Sequence, residues 1–193
     1  MGLGWIAVAY LFCIDPFHVF LYTGSAVCFF AAGSKLSAQH PAFLWMKRAS
    51  VALFAVGIAG AVCEVPGFFG SAAGFPPFLT SVVCAAAKLT LLCVVLCACT
   101  GIAALARVQA KKTVLAGALR GRIFSVLYYL PAAALEFVDV SGSAFWVVLT
   151  AAILLIGVMV YLLNLWFFFD AWRSLAPPQD GQPGDQRQGG RFL

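Results

Sequence analysis

Five ionisable side chains interrupt the apolar runs of this sequence: Asp15, His18, Glu64, Lys88 and Glu136. A charged side chain at the centre of a membrane helix costs about 2.5–3.5 kcal/mol on insertion scales, so such residues normally face the interior of a helix bundle or a water-filled cavity. These five residues are therefore the candidates for an intramembrane ion path or for buried ion pairs.

Asp15 and Lys88 are expected at similar depths in the membrane. Counting about 1.5 Å per residue puts each of them roughly 14 to 18 Å below the same surface, which predicts an Asp15–Lys88 pair that His18 or Glu136 joins. Three interpretations remain open: a proton or ion relay, a structural pair that fixes the register of the helices, and a Lys88 side chain that extends to the interface instead.

The stretch LFCIDPFHVFLY offers a second interpretation of Asp15. Asp is a favoured N-cap residue, and proline is well accepted at the first helical position. Asp15 and Pro16 would then begin a helix, so that residues 2–14 form a short interfacial or re-entrant helix and residues 16–33 form the first true span. We favour this cap over the ion pair.

The composition is typical of a membrane protein, because 63% of the residues are apolar, 10% are charged and the mean hydropathy is +0.99. A soluble domain carries about a quarter charged residues. Strands of a β-barrel would alternate apolar and polar residues, and that alternation is missing here. No basic residues interleave with aromatic residues on a polar face, so nucleic acid is not an expected partner. The fold class predicted is an all-α polytopic transmembrane bundle.

The sequence divides into apolar segments that are separated by alternately basic and non-basic loops. Because loops rich in Lys and Arg stay on the cytoplasmic side, the alternation predicts five spans with the N-terminus outside. Four spans are the alternative, with the fourth segment in the membrane plane, because its roughly 16 residues cover only about 24 Å of a core of about 30 Å. The bundle is expected over residues 1–175 and a disordered polar tail over residues 176–193. The five segments are residues 2–33, 49–64, 79–106, 123–138 and 143–172.

Cysteine and histidine could indicate a metal or haem site, but their positions do not favour one. Cys93 and Cys97 share a helix face while Cys99 points away, so packing as free thiols is favoured over metal binding. A haem between two helices would need two intramembrane histidines, and His40 lies in a basic loop. With no catalytic motif present, we expect no cofactor and no enzymatic activity.

Two strings resemble the Flower family of proposed calcium channels and the Golgi tetraspan vesicle proteins. These strings are CEVP at residues 63–66 and RGRIFSVLYYLPAAA at residues 120–134. The resemblance implies that Glu64 corresponds to the acidic residue proposed to line the pore of those channels. The sequence departs from the family pattern because a whole apolar segment, residues 79–106, lies between the two strings.

The expected function is that of a non-enzymatic multi-pass membrane protein, acting as a structural or accessory subunit of a larger membrane assembly. The alternative is a small ion or proton channel or transporter that uses Asp15, Lys88 and Glu64. The expected partners are the lipid bilayer and either other membrane subunits or another copy of this chain. The expected location is a eukaryotic endomembrane or the plasma membrane, with the mitochondrial inner membrane as an alternative.

Overall fold

The computed structural model describes residues 2–13, 21–68, 76–138 and 144–175, with the backbone alone for residues 64–68. Every regular element in these ranges is an α-helix, and no strand occurs in them, which confirms the all-α prediction. The six helices are α1 (Gly2–Leu11), α2 (Leu21–Leu36), α3 (Pro41–Phe68), α4 (Pro77–Val108), α5 (Lys112–Leu135) and α6 (Ala144–Ser174).

Three helices are long and apolar enough to cross a bilayer. They are α3 over Pro41–Cys63, α4 over its 32 residues and α6 over its 31 residues. At about 1.5 Å per residue, 20 residues already match a hydrocarbon core of about 30 Å. The chain therefore has the helices of a membrane-embedded protein, whereas the predicted count of five spans is not confirmed.

The helices pack in chain order, and α6 returns to α1, so that each helix lies between two neighbours. Neighbouring helices are antiparallel and approach closely at glycines. A Cβ atom at Gly157 would lie 2.5 Å from the Tyr128 ring, and one at Gly121 would lie 2.9 Å from Asn164 Oδ1. As residue numbers increase along α5, the numbers of the residues that they contact on α6 decrease. The fourth apolar segment runs along the bundle and does not lie across it.

The first apolar segment is divided, because α1 ends at Leu11 and α2 begins only at Leu21. Gly2 packs against Leu36 at the end of α2, and Gly4 packs against Trp172 near the end of α6. The start of α1 and the end of α6 thus lie at the same end of the bundle. The predicted outside N-terminus, opposite the tail, is not confirmed. Two separate helices, α1 and α2, occupy the first segment, as the favoured division into two pieces predicts, and they are antiparallel.

Helix α5 begins at Lys112, well before the predicted residue 123, so part of the predicted basic loop is helical. Only residues 109–111 connect it to α4. Ala110 has a φ of 53°, and the Lys111 N–H donates to the Ala106 carbonyl at 2.8 Å. This left-handed residue and the hydrogen bond after it form the helix ending that usually carries glycine. The tight turn brings Lys111 and Lys112 to the bundle end that also holds Lys35 and Arg173.

We expect Ala110→Gly to increase the free energy of unfolding by about 1 kcal/mol, because the Cβ of an L-residue is strained at positive φ. The measurement is unfolding in mixed detergent micelles, followed by circular dichroism. The matched control is Ala116→Gly, an exposed position inside α5, where glycine should cost about 0.5–1 kcal/mol. Equal losses of stability in both variants would contradict the assignment of this turn.

Candidate functional site

Lys88 and Glu136 form an ion pair between α4 and the end of α5. The side chain of Lys88 is 13% exposed and that of Glu136 is 27% exposed, so the pair is largely removed from solvent. The Lys88 Nζ contacts Glu136 Oε1 and also donates to the Ala132 carbonyl at 3.3 Å. The ammonium group therefore has two partners on the same helix end.

The end of α5 explains why a cation is needed at this position. Glu136 caps the helix, where a carboxylate opposes the helix dipole. The Glu136 N–H donates to the Ala134 carbonyl, and the Ala132 carbonyl accepts a hydrogen bond from the Lys88 ammonium group. Lys88 therefore supplies a donor to a carbonyl of the last turn and a charge that compensates Glu136. Such contacts are typical of a residue that fixes the register of two helices.

The structure brings together two of the five residues predicted as candidates. Lys88 contacts Glu136. The sequence analysis predicts this contact only as an addition to an Asp15–Lys88 pair. Asp15 and His18 lie outside the described residues, and so does the proposed N-cap. Glu64 lies in α3, and its side chain is outside the described part. The predicted Asp15–Lys88 pair therefore stays a prediction.

A second polar group, which the sequence did not single out, joins α1, α5 and α6. The Asn164 Nδ2 donates to Ser125 Oγ at 2.9 Å and to Tyr10 Oη at 3.1 Å. Tyr10 Oη lies 3.4 Å from Tyr129 Oη. Asn164 is the only asparagine of the chain and stands within a long apolar run. A single amide in a long apolar run is the sequence feature that could have predicted this group, because a buried amide needs hydrogen-bond partners from neighbouring helices.

All five tyrosines of the chain meet around this group. Tyr10 stacks on Tyr161 with ring centroids 5.3 Å apart, and Tyr128 meets Tyr129 at 4.9 Å. Tyr22, Tyr128, Tyr129 and Tyr161 line a cavity of about 160 Å³, beside Gly157 of α6. Tyrosines from four helices are thus gathered in one place, which spacing along the sequence does not reveal.

The cysteines carry free thiols, and they are spread over several helices. Cys13 lies 3.1 Å from Ser25 Oγ through its sulfur atom, which joins the end of α1 to α2. Among the residues with a described position, no group of three or more His, Cys, Asp or Glu side chains is placed to hold a metal ion. The polar contacts described here connect helices to one another.

In comparisons with known proteins, no family model, no curated protein and no solved structure matches this chain. The resemblance of the two short strings to the Flower family therefore gains no support from these comparisons. Helix α4, which occupies the interval between the two strings, also contributes Lys88 to the ion pair.

We expect Lys88→Met to lower the thermal unfolding midpoint, because it leaves the Glu136 carboxylate at a helix C-terminus without its cation. Glu136→Gln alone should also destabilise, and the double variant should recover part of the loss. A double-mutant cycle should give a coupling of about 0.5–3 kcal/mol. Additive losses, measured by unfolding in the same detergent, would show that the two side chains do not interact.

Proposed function

We propose that this chain is a non-enzymatic multi-pass membrane protein that serves as a structural or accessory subunit of a larger membrane assembly. The observation that carries the proposal is that the polar side chains between the helices bind each other. Lys88 contacts Glu136, and Asn164 bonds Ser125 and Tyr10. These contacts stabilise the arrangement of the helices, which is what a scaffold requires.

The outer surface of α6 supports a partner for the proposed subunit. The buried residues of α6 form one stripe toward α5 and α1, and most of the remaining helix surface is apolar and exposed. An apolar helix surface in a bilayer can pack against acyl chains or against another helix, because van der Waals packing and not the exclusion of water drives helix association there. The stripe consists of Gly157, Val160, Asn164, Phe167, Phe168 and Ala171.

The basic end of the bundle supports an orientation. Loops rich in Lys and Arg stay cytoplasmic, and Lys35, Lys111, Lys112 and Arg173 lie at the end where α1 starts. We therefore propose four crossing helices, α3 to α6, and an α1–α2 hairpin that enters from the cytoplasmic face. The 10 residues of α1 reach only about 15 Å. Five spans with an outside N-terminus remain the sequence-based alternative.

A small ion or proton channel or transporter is the second candidate function. The observation that favours it is the partial exposure of the Lys88–Glu136 pair, because charged groups at membrane depth often mark an ion path. Asp15 and Glu64 would complete this path in the sequence-based proposal. For either function, the proposed location is a eukaryotic endomembrane or the plasma membrane, with the mitochondrial inner membrane as an alternative.

We expect the protein to co-purify in mild detergent with a stoichiometric membrane partner. Replacing exposed side chains of α6, Leu155→Ala together with Trp166→Ala, should release that partner because both side chains point away from the bundle. The control is Ile58→Ala, at an exposed site on α3, which should retain it. A wild-type protein that purifies alone would contradict the subunit proposal.

In sealed liposomes, we expect the purified protein to give no proton or cation flux above that of protein-free vesicles. Its polar groups are expected to hold helices together, so Lys88→Leu should reduce stability and leave this background flux unchanged. Flux that depends on Lys88 in a protein that remains folded would favour the channel or transporter.

A further inference from the structure

Three basic side chains of α2 and α3, which we call the basic cluster, each lie over an aromatic ring. The charged group of each is 4.9 to 5.5 Å from the centre of its ring. These are the distances of cation–π contacts. An aromatic ring carries no net charge, so it orders a cation without neutralising it. The pairs are Lys35 with Trp5, Lys47 with Phe30, and Arg48 with Trp45.

The packing of α2 against α3 places the basic cluster at one level of the bundle. A Cβ atom at Gly33 would lie 2.8 Å from Lys47 Cβ, so Gly33 of α2 lies directly beside Lys47 of α3. Lys35 follows Gly33 by two residues, and Arg48 follows Lys47 by one. At about 1.5 Å per residue, the three basic residues lie within about 5 Å of each other along the bundle axis.

The residues around the basic cluster indicate that it lies at the level of the lipid headgroups. Trp5 and Trp45, which contact two of its cations, are exposed, and tryptophan is enriched where the hydrocarbon meets the headgroups. Val27 of α2 and Val51 of α3 lie about one to two turns further toward the middle of the bundle, and both are exposed. Cations at the headgroup level are thus followed by apolar surface at the level of the acyl chains.

The carboxylates that the structure describes do not neutralise the basic cluster. They belong to Glu136, which pairs with Lys88, and to Asp170, which accepts a hydrogen bond from Ser174 Oγ at 3.3 Å. Phosphate is the anion that a membrane offers at this level, and charged hydrogen bonds from Lys and Arg to phosphate are among the strong ones in proteins. A headgroup with a net negative charge therefore fits the cluster.

We propose that the basic cluster and the apolar surface beside it bind an anionic phospholipid. The phosphate contacts Lys35, Lys47 and Arg48, while an acyl chain lies along Val27 and Val51. A zwitterionic lipid carries a cation on its own headgroup, which the cluster repels, so net negative charge is the feature recognised. Because the rings already order the three side chains, less side-chain freedom is lost on binding. This inference goes beyond the subunit proposal and does not depend on it.

The test counts the lipids bound to the full chain by native mass spectrometry from a neutral detergent. The chain is titrated with phosphatidylglycerol or with phosphatidylcholine that has the same acyl chains. Each basic residue near an anionic surface strengthens binding about fivefold, so phosphatidylglycerol should bind about tenfold or more tightly than phosphatidylcholine. In a third arm, an excess of inorganic phosphate should leave the bound phosphatidylglycerol in place, because it offers no acyl chain.

Two double variants with the same change of charge then locate the site. Lys35→Gln with Lys47→Gln should weaken phosphatidylglycerol binding about tenfold or more. The control is Lys111→Gln with Lys112→Gln, at exposed positions of the same bundle end, where α4 lies between α5 and α3. The control should change the affinity less than about twofold, because charges beyond about 8 Å are screened at physiological salt. Arg48→Gln, at an exposed position, should cost about fivefold and replaces the first variant if that one does not fold.

Four results would overturn the proposal. The first is equal affinity for phosphatidylglycerol and phosphatidylcholine, and the second is displacement of the lipid by inorganic phosphate, as expected for a soluble anion. The third is an equal loss in the two double variants, which would assign binding to the overall charge of this bundle end. The fourth is binding that appears only in Asp180→Asn with Asp185→Asn, which would show that the tail covers the cluster. Since these measurements involve no partner protein, their failure leaves the subunit proposal untouched.

Discussion

The hydrocarbon core of a bilayer offers no hydrogen-bond partner, so every polar group placed there must find one within the protein. Lys88 satisfies this constraint by contacting Glu136 and the Ala132 carbonyl, and it closes the end of α5 in doing so. Asn164 satisfies it in part, because its Nδ2 donates to Ser125 and Tyr10, while its Oδ1 is buried without a partner among the described residues. The Lys88 contacts join the consecutive helices α4 and α5, whereas the Asn164 group also joins α6 to α1 at the other end of the bundle's sequence.

These contacts need helices that approach closely, and glycine provides the space. Gly121 lies where α5 meets Asn164, and Gly157 lies where α6 meets Tyr128. A Cβ atom at either position would push α5 and α6 apart, and the hydrogen bonds of the Asn164 group would lengthen. Small residues and polar residues thus act together: the first set the distance between two helices, and the second fix their register.

The sequence predicted the helical class, because apolar runs such as that of α6 exclude an alternating pattern. It also identified Lys88 and Glu136 as polar residues with a role inside the bundle. It predicted Asp15 as the main partner of Lys88 and Glu136 only as an addition, because counting residues along each helix does not give the tilt that brings Glu136 to Lys88. The run of Arg and Lys residues before residue 123 predicts a loop, yet α5 already begins at Lys112, because long basic side chains are compatible with a helix whose first turns reach beyond the membrane.

The tyrosine cluster could not be predicted from spacing. Its members come from α1, α2, α5 and α6, and only the ring-like packing of the helices brings them together. The sequence favours a division of the first segment near Asp15, but it does not give the direction of α1 relative to α2. Contacts such as that of Gly2 with Leu36 show that α1 and α2 are antiparallel. These contacts join residues that are far apart in the sequence, so the sequence alone does not reveal them.

The most direct test of the account is the distance between Lys88 and Glu136 in a lipid bilayer. Solid-state NMR on protein with ¹⁵N in the Lys side chains and ¹³C in the Glu carboxylates measures this distance through the dipolar coupling of Nζ and Cδ. We expect a coupling that corresponds to about 4 Å or less, as in an ion pair, and that vanishes in Glu136→Gln. Absence of the coupling in the wild type, or its persistence in the variant, would contradict the account.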